Sequence, residues 1–165
     1  MSYYVGLPLL LLLALVEAAV LPLFRVAGFQ PNLVLVVLLA WIMIRGQREA
    51  LVLIPVGGLF LGLVEGAPLG TALLALAPIA VIHELRGIQF GEGQFALTLV
   101  FTALATLAFN LTYLLVFTLT GEGGSWLDGL ARVALPSVVL NCAVMAPIYG
   151  AIWLASGDLR RAAFA

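Results

Sequence analysis

FALTLVFTALATLAFNLTYLLVFTLT, residues 95–120, decides the architecture, because 26 consecutive residues carry no charge. A helix needs about 20 apolar residues to cross the hydrocarbon core of a bilayer, within a range of about 17–25. No strand-like alternation interrupts this run, so it reads as a membrane helix rather than a barrel strand. Working outward in both directions, further apolar runs follow one another, separated by short knots of arginine, glutamate, glycine and proline. The chain therefore predicts an all-α integral membrane protein. It is expected to form a single bundle of six transmembrane helices at about 3–24, 32–47, 50–64, 69–82, 95–120 and 130–154.

Composition agrees with that reading and excludes several functions. Hydrophobic residues make up 64% of the 165-residue chain and charged ones 9%, against roughly a quarter charged in a soluble domain. No loop is long enough for a soluble domain, and the first run exceeds the core of a signal peptide, so it is expected to be a retained span. All seven basic residues are arginines, which rules out a P-loop lysine and a Schiff-base lysine. One histidine and one cysteine cannot build a zinc site. A net charge of −1 offers no basic patch to a nucleic acid. No cofactor, no metal and no catalytic activity are expected.

Arginine placement predicts orientation. With six spans, both termini and the second and fourth loops share one side, which holds Arg45, Arg48, Arg86, Arg160 and Arg161. The other side holds Arg25 and Arg132. The basic excess marks the cytoplasmic face, so both termini are expected inside.

Few residues inside the spans could carry chemistry. Glu17 lies within span one, where a charged carboxylate costs about 2.5–3.5 kcal/mol on insertion scales. It is either a proton or cation site, an anchor for a partner helix, or a hydrogen-bonded carboxyl turned into the bundle. Gly58, Gly62, Gly66 and Gly70 recur every four residues, a spacing that lets helix backbones approach closely. Ala14 and Ala18 repeat the device around Glu17. Together, Ala14, Glu17, Ala18, Gly58 and Gly62 are candidates for docking a partner helix, with internal packing as the other outcome; Gly66 and Gly70 flank Pro68 and are expected to serve a turn. Thr98, Thr102 and Thr106 can satisfy themselves on preceding carbonyls. Asn110 and Asn141 are expected to bond across helices, or to line a pocket with Tyr113, Trp126 and Tyr149. His83-Glu84 reads as a solvated helix end, since neighbouring helix residues point apart. Gly123-Gly-Ser125 lacks the setting of a nucleophile elbow.

The order of certain residues resembles a known family. Gln30-Pro31-Asn32-Leu33 is followed by Gly58-Leu-Phe-Leu-Gly62-Leu-Val-Glu65-Gly66-Ala-Pro68-Leu-Gly70, and later by Leu135-Pro136-Ser137-Val-Val-Leu-Asn141. This pattern resembles the MreD family of rod-shape-determining membrane proteins, with Glu65 standing where that family usually has aspartate. The resemblance implies a non-enzymatic scaffold of the cell-elongation machinery in the bacterial cytoplasmic membrane. Its implied partners are an MreC-like single-span protein, RodA with the elongation transpeptidase, the MreB filament and membrane lipids. It also implies a fold resembling the S component of energy-coupling-factor transporters. A vitamin-type S component, using Asn110, Tyr113, Trp126, Asn141 and Tyr149 as its pocket, is the rival expectation.

Overall fold

The computed structural model describes residues 3–24, 29–45, 47–68, 70–84, 94–121 and 125–162. Among them the chain is helical almost throughout and holds no strand. Helix α1 (Tyr3–Ala19) ends in a 3₁₀ turn at Leu21–Phe24; α2 (Leu33–Arg45), α3 (Gln47–Glu65), α4 (Thr71–Glu84) and α5 (Gln94–Leu119) follow. The last rod consists of α6 (Trp126–Gly129), a π-helical turn (Leu130–Ala134) and α7 (Leu135–Ala162). Three stretches are long and apolar enough to cross a membrane: Gly6–Leu23, Phe95–Leu119 and Trp126–Ala155. Leu33–Ile44, Val52–Glu65 and Thr71–Val81 are apolar but shorter.

α2 is the axis. Its 13 residues reach about 20 Å at about 1.5 Å per residue, well short of the roughly 30 Å hydrocarbon core. Every residue from Val34 to Met43 is buried, because α1, α3, α4, α5 and α7 all pack against this one helix. A helix that is apolar on every side has no reason to present a face to water. The outer helices are equally apolar on the outside: Leu12, Leu63, Leu74, Leu119 and Leu154 are all exposed. Interior and exterior thus share one chemistry, as in a protein whose surroundings are lipid tails.

Glycines set the tightest approaches. A Cβ added at Gly58 would stand 2.7 Å from Leu73 Cα on α4, so α3 and α4 meet backbone to backbone there. The polar knot between α3 and α4 is built by Gly66 (φ 69°) and Gly70 (φ 89°), left-handed conformations in which a side chain is strained. The Thr71 amide and hydroxyl both donate to Pro68 O.

The last rod departs from the expected boundaries: helix begins at Trp126 rather than near 130 and runs to Ala162. Gly129, which lies before the expected start of the last span, is helical (φ −61°), and a Cβ there would overlap the Leu114 side chain. It is a contact glycine, not a turn glycine. The π turn lies just before Pro136. Proline has no N–H to return to the carbonyl four residues back, and the Leu135 N–H bonds to Leu130 O instead, five residues back.

Candidate functional site

Alternating helix directions bring the C-terminal ends of α1, α3 and α5 together with the N-terminal ends of α2 and α6–α7. At this end the polar residues of the bundle converge. Glu17 lies near the end of α1 and is 3% exposed. Its Oε2 accepts the Val34 N–H at 3.1 Å. Val34 is in the first turn of α2, where amides have no partner within their own helix. Asn32 caps the same helix: its Oδ1 accepts the Leu35 N–H at 2.7 Å, the bond an asparagine cap ordinarily makes. The Asn32 N–H in turn donates to Asn141 Oδ1 on α7 at 2.8 Å. Asn141 Nδ2 completes the chain by donating to Thr106 Oγ1 on α5 at 3.0 Å. Four helices are tied at one point, and the start of α2 is satisfied by its own Asn32 cap together with side chains from α1 and α7. Irregular backbone inside a bundle is tolerated when it is shielded and satisfied in this way.

Beside this network lies a partly open cavity of about 470 Å³. One wall is a ladder on α5, Phe109, Tyr113 and Phe117, four residues apart. Phe109 and Tyr113 stack with ring centroids 4.8 Å apart, and Tyr113 and Phe117 lie 6.2 Å apart at a tilt. Glu65, exposed at the last residue of α3, accepts the Tyr113 hydroxyl. Gln30, Asn32, Asn110 and Asn141 add amides, and Gly129, Val133 and Ser137 of the last rod complete the lining. Gln30 Oε1 is buried without a hydrogen-bond partner among the described residues, an uncommon state for such an atom. No basic side chain lines the cavity among the described residues. Arg132 points away, exposed, 3.2 Å from Asp128.

The expected residues separate into three groups. Asn110, Tyr113 and Asn141 line the cavity, whereas Trp126 is exposed and Tyr149 packs edge-on against Phe95. Asn110 does not bond across helices: its Nδ2 returns to Thr106 O on its own helix. Ala14 is fully buried and Gly58 is seated on α4, while a Cβ at Gly62 would lie 3.6 Å from Ala72 Cβ. The small-residue faces are therefore filled from within the chain, and Ala18 is half-buried. Pro31, Asn32, Glu65 and Asn141 gather at one end, with Gly66 and Gly70 shaping the turn beside them and Pro136 following the π turn. The sequence reading quoted Gln30 and Ser137 only inside motif stretches, without a site role, and missed Phe109 and Phe117; their four-residue spacing around Tyr113 was the available signal. The side chains of His83, Glu84, Arg45, Arg48, Arg160 and Arg161, and residues 25, 86, 123 and 124, lie outside the described residues.

Chemically, the site offers two carboxyls, several amides, one phenol and a flat aromatic wall. No group of three or more histidine, cysteine, aspartate or glutamate residues that could hold a metal occurs among the described residues. No protein-family model, no curated protein and no solved structure matches the chain.

Proposed function

We propose that this chain is an MreD-like membrane scaffold, a six-span bundle in the bacterial cytoplasmic membrane with both termini cytoplasmic. It performs no turnover and holds an MreC-like single-span partner, and through it the peptidoglycan-synthesising elongation machinery that sets rod shape. The observation that carries this reading is the meeting of Asn32, Glu65 and Asn141. These motif positions lie far apart in sequence, yet all three line one cavity, and Asn32 and Asn141 are joined by a hydrogen bond. Because Ala14 and Gly58 are occupied internally, the partner span docks on an outward face. Ala18, with exposed Leu11 and Leu15 on the same side of α1, is the accessible remainder of the small-residue set.

Co-expression with an MreC-like protein and affinity capture from solubilised membranes tests the proposal. Capture well above that of an unrelated single-span protein, reduced by Ala18→Trp, is the expected result; equal capture of both proteins would remove the reading. The cavity favours a second one, a vitamin-type S component that takes its ligand beside Asn110, Tyr113 and Asn141. Saturable thermal stabilisation by one vitamin would put that reading ahead.

A further inference from the structure

We infer that the cavity beside Glu65 is a binding site for a small organic cation, an ammonium group carried on a flat apolar body. The inference rests on neither reading above.

Four observations carry it. The first is size: about 470 Å³ is within the roughly 300–1,000 Å³ of small-molecule sites and far more than a bare ion needs. The second is charge. Glu65 is the last residue of α3, and no basic residue occupies that turn. A helix ends in partial negative charge from its free carbonyls, so the carboxyl and the helix end attract a cation together. Glu17 differs, because its carboxyl already faces the positive end of α2.

The third observation is the aromatic ladder. Phe109, Tyr113 and Phe117 line one wall, and a cation over an aromatic face within about 6 Å is attracted by the ring quadrupole. The same rings pack against a flat apolar body. The fourth is Gln30 Oε1, a buried acceptor with no donor among the described residues. An ammonium supplies the N–H donors that the acceptors lining this cavity, Gln30 Oε1 and Glu65 among them, can take. An anionic ligand would meet two carboxyls and no basic side chain among the described lining residues.

Phenethylamine is the probe, with 2-phenylethanol and phenylacetate as its neutral and anionic counterparts. Ligand-observed NMR on the full chain in lipid nanodiscs reads the binding. Saturable millimolar-or-tighter binding of the amine is expected, with at least tenfold weaker binding of the alcohol and none of the acid. Glu65→Gln should weaken the amine at least tenfold, Glu65→Asp should restore part of it, and Asp128→Asn should leave it unchanged. Ser137→Phe, which adds a ring to the cavity lining from α7, should abolish binding while keeping Glu65, and serves if Glu65→Gln does not fold. Absence of saturable amine binding, a preference for phenylacetate, or amine binding untouched by Ser137→Phe would each overturn the inference.

Discussion

Glu17 and Glu65 are carboxyls at the same end of one bundle, and they live in opposite surroundings. Glu17, on α1, is enclosed and accepts an amide from the start of α2. Its carboxyl oxygen meets the positive end of a helix, as electrostatics prefers. Glu65 terminates α3, is exposed, and has the Tyr113 phenol as its hydrogen-bond partner among the described residues. One carboxyl is consumed by architecture and the other is left available. An acid inside an apolar bundle is therefore not in itself a sign of function; what decides is whether the fold has already given it a counterpart.

Mutations can break that contrast. The largest effect is expected from Glu17→Ala, which strands the Val34 amide in the interior at the start of α2. An orphaned buried donor costs about 1–3 kcal/mol. A loss at the upper end of that range, about 3 kcal/mol, is expected in reversible unfolding from micelles, with Glu17→Gln recovering most of it. A Glu17→Ala protein as stable as the parent would erase the distinction between the two acids.

Asn141→Leu is expected to come next, at about 2 kcal/mol, since it leaves the Asn32 N–H without an acceptor and the Thr106 hydroxyl without its donor. Polar contacts between membrane helices average only about 0.6 kcal/mol in double-mutant cycles. A loss of that smaller size in the same unfolding measurement would mean that the start of α2 finds another partner. Glu65→Gln should change stability least, by under about 0.5 kcal/mol, as expected of a substitution away from the buried network. If it destabilises the bundle as much as Glu17→Ala does, Glu65 is a structural acid as well and the comparison fails.

Much of this was legible from residue order. The uncharged run at 95–120 announced α5, and Pro68 between Gly66 and Gly70 announced the turn. Thr102 returns to Thr98 O as threonines in apolar helices do. Other features left no trace. The partner of Glu17 is a backbone amide, and amides look alike at every position. Asn110 and Asn141 are identical as letters, yet one bonds within its helix and the other across two, a choice set by which face of the helix it occupies. The glycines Gly58 and Gly129 signal closeness but not to what, and both turned out to meet neighbouring helices of the same chain. α2 is apolar all round, which describes a helix in lipid as well as one enclosed by five others.

The tie between Asn32 and Asn141 spans 109 residues, and membrane chains are made from the amino end. α2 therefore waits for a companion that the ribosome delivers 109 residues later. Until that residue is threaded into place, an early segment carries an unmet amide.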